Sequence, residues 1–137
     1  TVVLQVGFVN SDSMNPVIKS NSLTIGCRLT YMVSGPQRGD IISFKHDGQI
    51  YGKRVIGIPG DSIEFHDGYV YLNGEKLEED YLDPDIETNS MKKYVVPDKT
   101  VFVLGDNREK SYDSRYWDDP YVKVKDIQSK ILLSIHL

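Results

Sequence analysis

At 137 residues the chain has room for one domain with a real core and is too short for two to be expected. Its 39% hydrophobic and 26% charged residues are those of an ordinary globular protein and exclude a disordered chain. A net charge of -4, with Lys and Arg spread along the chain, leaves no electrostatic footprint for nucleic acid, and the single cysteine, Cys27, excludes an internal disulfide and any cysteine-cluster metal site and reads as a small buried hydrophobe.

The chain opens on "TVVLQVGFV", residues 1–9, without an initial methionine. That stretch reads as a first β-strand or as the stump of a missing membrane anchor; no run approaches the ~20 apolar residues that span a bilayer. "NSDSMNP", residues 10–16, follows as a polar loop with a short turn after Asn15-Pro16. "GDIISFKHDGQIYGKRVIGIPGD" predicts a strand over 41–45, a turn at Asp47-Gly48 and a return strand over 50–58. "DSIEFHDGYVYLNGEKLEE" repeats that logic, with turns at Asp67-Gly68 and Asn73-Gly74. "TVFVLGDN" predicts a strand ending in a polar loop, a second short helical turn is expected around 123–128, and "KILLSIHL" closes the chain as a strand. With nine Tyr and many Val and Ile, the fold class is mainly β with little helix, undivided by repeats or linkers.

Ser11 and Ser13 stand two apart in the loop, and an unassisted serine hydroxyl is a weak nucleophile. The histidines at 46, 66 and 136 lie far apart, and none is singled out as a base. Asp83, Asp85, Asp118 and Asp119 sit in loop-like stretches without metal-ligand spacing, which points to solvated acids and no metal site. A neutral lysine can serve as the base if burial lowers its pKa by about 2 to 3 units, roughly 3 to 4 kcal/mol against the ammonium. Lys53 lies inside such an apolar strand. Alternation puts Tyr51, Lys53 and Val55 on one face and Gly52, Arg54 and Ile56 on the other. By itself Lys53 also reads as a snorkelling edge-strand lysine. "SMKK", residues 90–93, has Ser-x-x-Lys spacing but lacks the accompanying elements of penicillin-recognising enzymes, and reads as a solvated loop. "GDNREKSYDSR", residues 105–115, crowds short hydroxyls and Asp/Arg pairs just past a strand end, as either a site-supporting loop or a turn with surface ion pairs.

In this order, "SDSMNP", "YGKRVIGIPGD" and "LGDNREKSYDSRYW" resemble the motif boxes of the bacterial type I signal peptidases, and the likeness runs from Val9 to the C-terminus. The resemblance implies a membrane-tethered Ser/Lys endopeptidase that removes signal peptides from exported preproteins on the outer face of the cytoplasmic membrane. It implies no cofactor, and partners that are preproteins and the lipid surface. Its fold would be coiled antiparallel sheets around a barrel-like core, as one catalytic domain over residues 1–137. Ser13 matches the nucleophile and Lys53 the general base; the Ser11 hydroxyl and the Ser13 N–H match the oxyanion hole. Two residues apart on an extended segment, Ser11 and Ser13 would address one carbonyl together. Ser111 matches the residue that orients the lysine, and Arg54, Asp106, Asp113 and Arg115 match the structural charges, with Arg54 a partner for Asp106. Val9, Met14, Ile18 and Tyr51 would line shallow pockets for the small residues of an Ala-x-Ala site, and Gly52 would let a substrate backbone approach.

The family's amino-terminal transmembrane helix does not occur in these residues, and the short link between the second and third boxes resembles the smaller Gram-positive forms. Other readings are a pilin-dedicated signal peptidase and a non-catalytic pilus-assembly chaperone of the same family, which would lack the serine and lysine. Self-cleaving repressors share a Ser/Lys dyad but need a cleavage site upstream of it, where only twelve residues stand.

Overall fold

Asp47-Gly48, Asp67-Gly68 and Asn73-Gly74 each place two successive residues at positive φ, between 48° and 87°, the geometry of the tight hairpin turns that these pairs favour. They join strands β3 (Ile41–His46) and β4 (Gln49–Gly57), β5 (Ser62–His66) and β6 (Tyr69–Leu72), and β6 and β7 (Glu75–Lys76). The computed structural model describes residues 4–28 and 35–137, so Thr1 to Val3 of the apolar opening lie outside the described residues. The remaining strands are β1 (Leu4–Val9), β2 (Ser22–Cys27), β8 (Tyr94–Val95), β9 (Thr100–Leu104), β10 (Tyr121–Lys123) and β11 (Ile127–His136). Among the described residues helix is limited to two single 3-10 turns, Arg108–Lys110 and Val124–Asp126, the second inside the stretch where a short helical turn is expected.

All strand pairings among the described residues are antiparallel. One sheet has the order β1-β2-β11-β3-β4-β9-β10, the other β7-β6-β5-β8. The mainly β, antiparallel class read from the sequence is the one formed, but the sheets stay open and no barrel closes. The end strands of the larger sheet, β1 and β10, pair with β2 and β9 and not with each other, so its two edges do not meet.

Two apolar clusters hold the sheets together. Ile42, Phe44, Val55, Val101, Val103, Trp117 and Val122 form one, with Tyr51 packed against it; Ile56, Ile63, Val70, Tyr94, Val96, Phe102 and Leu104 form the other. Val55 and Ile56, adjacent on β4, belong to different clusters, so β4 is covered on both faces and Lys53 sits between them and the polar hairpin end. Cys27 ends β2 half-buried rather than buried, because it falls on the outward row of that strand.

Candidate active site

Between β1 and β2 the chain turns sharply. Asn15 N–H donates to the Asp12 carbonyl at 3.1 Å and Ile18 N–H to the Met14 carbonyl at 2.8 Å. The segment is thus a run of turns, not extended, and strand alternation is not what brings Ser11 and Ser13 together. Their hydroxyl oxygens are nonetheless 3.4 Å apart. The loop after β9 fixes the turn from outside. Asn107 N–H donates to the Ser13 carbonyl at 2.8 Å, the Asn107 amide to the Asp12 carbonyl at 2.9 Å, and Asp106 N–H to Met14 Sδ at 3.3 Å.

Lys53 is 2% exposed, and its Nζ donates to Ser111 Oγ at 3.2 Å. Burial pushes its pKa down from 10.5 to about 8; Asp113 and Asp106 pull it back up, while Arg115 helps to lower it. A drop of that size is about 3 kcal/mol against the ammonium. An amine whose pKa lies near 8 gives up its proton far more readily than an exposed lysine, a property that suits a general base.

Arg54 of the second box and the charged residues of the third form a buried frame around that amine. Arg54 clamps Asp106 through Nε and Nη2 at 2.9 and 2.7 Å and stacks on Tyr81, its guanidinium 3.7 Å from the ring centre. Arg115 clamps Asp113 at 2.9 and 3.0 Å, and Asp113 accepts from Gly105 N–H at 3.1 Å. Asp106 and Asp113 are both wholly buried, so each carboxylate needs its bidentate partner. Gly105 is where the pieces press together: a Cβ there would lie 2.0 Å from Ser111 Oγ and 2.6 Å from the Ser13 carbonyl oxygen.

Ser11, Ser13 and Lys53 line one cavity of about 540 Å³, with Val9, Tyr51 and Gly52 also in its walls. Met14 and Ile18, expected as pocket residues, are each 2% exposed and are not among the residues lining it; the turn folds them inward, where Met14 accepts the Asp106 bond. The arrangement supplies a hydroxyl, a second hydroxyl beside it and a lysine of lowered pKa within one cleft, the parts needed for nucleophilic acyl transfer.

The chain matches the family model "Signal peptidase, peptidase S26" over residues 1–135. This chain belongs to that family. It is 39% identical over 129 residues to a probable signal peptidase I-2 of Synechocystis, covering 85% of this chain and 57% of that protein. It is 37% identical over 137 residues to signal peptidase I of Bacillus caldolyticus, covering 90% and 74%. The crystal structure of a signal peptidase I from Enterococcus faecalis superposes with a TM-score of 0.61 at 35% identity, over 72% of this chain and 97% of that one. The chain spans 57% to 64% of the length of several curated relatives that it matches.

The other candidate residues stand outside the cavity. None of His46, His66 and His136 lines the cavity. In the Ser90 to Lys93 stretch, Ser90 Oγ only caps Lys92 N–H, and the 75% exposed Lys93 side chain pairs with Glu64. Sequence reasoning passed over Asn107, which staples the Ser13 turn, and Arg108, fully buried and paired with Glu79 and Thr88. Asn107 carried a usable signal, a polar side chain in the loop that follows a buried strand; Arg108 did not, since Glu79 lies 29 residues away.

Proposed function

We propose that this chain is the catalytic part of a serine endopeptidase that removes N-terminal signal peptides from exported preproteins, with Ser13 as nucleophile and Lys53 as general base. The observation that carries the reading is a buried lysine of lowered pKa lining the same cleft as Ser13, its amine anchored on Ser111. Neutral Lys53 takes the Ser13 proton as Oγ attacks the scissile carbonyl. The Ser11 hydroxyl and the Ser13 N–H donate to the oxygen as it gains charge. Lysine then returns the proton to the departing amine, and a water, deprotonated in turn by Lys53, releases the acyl group from Ser13. Arg54, Asp106, Asp113 and Arg115 hold the frame, and residues 1–137 act as one catalytic domain.

Substrate would lie extended between β1 and the Tyr51 to Lys53 edge. The small-residue preference of the Ala-x-Ala pattern fits walls built by Val9 and Tyr51, with Met14 and Ile18 supporting them from the interior. Incubation with a preprotein carrying an Ala-x-Ala site tests the whole reading, with products identified by mass spectrometry. A single cut after the second alanine is expected, absent in Ser13→Ala, and Ser11→Ala should slow turnover by roughly 10²- to 10³-fold with a smaller change in KM. Cleavage that persists in Ser13→Ala would end the nucleophile assignment.

The exposed apolar residues of the same strands support work at a membrane surface, which the family resemblance would set on the extracytoplasmic side of the cytoplasmic membrane. Leu4, Val6 and Phe8 of β1 and Leu133 and Ile135 of β11 are exposed, and register sets Val6 and Leu133 beside Ile25 and sets Phe8 and Ile135 beside Leu23. Such a contiguous apolar face marks an interaction surface. Among the described residues no helix is long and apolar enough to cross a membrane. The protein is expected to float with liposomes, and Val6→Asp/Phe8→Asp to stay at the bottom of the gradient; equal flotation of both proteins would remove this face from membrane binding.

A further inference from the structure

Both backbone groups of Gly105 are pinned, and the two pins are anchored in different parts of the chain. Its N–H donates to Asp113 at 3.1 Å, and Asp113 is clamped by Arg115, all within the third box. Its carbonyl accepts from Arg108 Nε at 2.8 Å. Arg108 is held in turn from outside the three boxes, by Glu79 and Thr88 on the link between β7 and β8. Nη1 donates to Glu79 Oε1 at 3.1 Å and to Thr88 Oγ1 at 2.9 Å, and Nη2 donates to Glu79 Oε2. The link is itself tied to the smaller sheet, with Leu77 N–H on the Val70 carbonyl at 2.9 Å and Thr88 N–H on the Gly68 carbonyl at 2.8 Å. Glu79 thus braces the loop after β9 against that sheet.

The same carboxylate reaches the lysine strand. The Tyr81 hydroxyl donates to Glu79 Oε2 at 2.5 Å, and the Tyr81 ring carries the Arg54 guanidinium at 3.7 Å. Burial, and then the Glu79 charge, push the Tyr81 pKa up, so the hydroxyl keeps its proton and stays a donor. Arg54 follows Lys53 on β4 and clamps Asp106, the residue after Gly105. Burial works against the Arg108 charge, and among the groups that favour the charge Glu79 contributes most. A glutamine in its place offers one acceptor oxygen where two are in use, so it cannot serve both Arg108 nitrogens and the Tyr81 hydroxyl.

We infer that Glu79 is a positioning residue for Ser13 and Lys53: through Arg108 it fixes the Gly105 carbonyl, and through Tyr81 it fixes Arg54, so that Ser111, the Lys53 amine and the Ser13 turn keep their spacing. The inference rests on the endopeptidase reading above. Gly105 is where a displacement would be felt, because it lies against both Ser111 and the Ser13 carbonyl. None of Glu79, Tyr81 and Arg108 lines the cleft, so their replacement removes no substrate contact. The effect therefore belongs in kcat and not in KM.

The test compares the wild type with Glu79→Gln, Glu79→Gln/Arg108→Met and Tyr81→Phe on a peptide carrying one Ala-x-Ala site, at a temperature where circular dichroism shows each protein folded. Glu79→Gln should melt lower, since it strands a buried charge, and should lose about 10²-fold in kcat with KM within about twofold of the wild type. The double variant removes the stranded charge, so its melting temperature should return towards that of the wild type while kcat stays low. Tyr81→Phe keeps the ring under Arg54 and gives up only the bond to Glu79, and should lose about 3- to 10-fold in kcat. A kcat that recovers together with the melting temperature in the double variant would mean that Glu79 serves stability alone, and wild-type kcat in Glu79→Gln overturns the inference as well. Should neither Glu79 variant fold, wild-type kcat in Tyr81→Phe overturns it. Each of these results leaves the endopeptidase standing. If the wild type cuts no such peptide, the endopeptidase reading falls and the positioning role with it.

Discussion

Lys53→Arg should be as inactive as Lys53→Ala, a loss of roughly 10²- to 10⁴-fold or more, because a guanidinium keeps its proton and cannot act as a base. Lys53→His should retain a trace, since imidazole is a competent base but is shorter and aimed differently. With Lys53 as the proposed base, the working species is the neutral amine, so activity should rise with pH along an acid limb centred near the lysine pKa of about 8. At pH 7 about one molecule in ten carries the neutral amine. Measuring kcat/KM from pH 6 to 10 decides the matter: a flat profile, or substantial turnover by Lys53→Arg, would move the base elsewhere.

The same residue ties activity to stability. Its folded pKa of about 8 lies below its ordinary value of 10.5, so between these pH values the unfolded chain binds more protons than the folded one. Wild-type stability should therefore gain from Lys53 as pH rises through that window and lose the gain as pH falls through 8. Lys53→Met lacks this slope, and at pH 7 it should be more stable than the wild type by up to about 3 kcal/mol. On that expectation, a methionine would fold better at this position than the lysine that occupies it.

Local chemistry was legible in the sequence and long-range pairing was not. Asp47-Gly48, Asp67-Gly68 and Asn73-Gly74 named their hairpins because a two-residue turn with both φ positive admits few other residues. Lys53 could be placed beside Tyr51 and Val55 because alternation on a strand needs only counting. The position of β11 between β2 and β3 could not be read, since it depends on packing of strands some hundred residues apart in sequence. The same holds for Met14 and Ile18: in a loop, sequence spacing says little about which side chains turn inward, and here contacts from Asp106 and Asn107 decide it.

Gly105 shows how tightly the third box is set against the first, and Gly105→Ala should be among the most damaging single-methyl additions in the chain. The added methyl would lie 2.0 Å from Ser111 Oγ, 2.6 Å from Ser111 Cβ and 2.6 Å from the Ser13 carbonyl oxygen. Two of these atoms belong to groups already committed: Ser111 Oγ accepts from Lys53, and the Ser13 carbonyl accepts from Asn107. Neither can retreat without carrying the Lys53 amine or the Ser13 turn with it. Overpacking of this kind costs roughly 1 to 3 kcal/mol, so the melting temperature should fall by several degrees. A displacement of about 1 Å between reacting groups costs roughly 10²-fold in rate, so kcat should drop further than the lost stability explains. Gly52→Ala is the control for folding, because its methyl would meet only Ile131 Cδ1 at 3.6 Å and the Ile42 carbonyl at 4.0 Å, and its melting temperature should match the wild type. Gly105→Ala with wild-type melting temperature and kcat would mean that the loop relaxes around the methyl, and that the contact between Ser13 and Ser111 is not what sets the distance from lysine to serine.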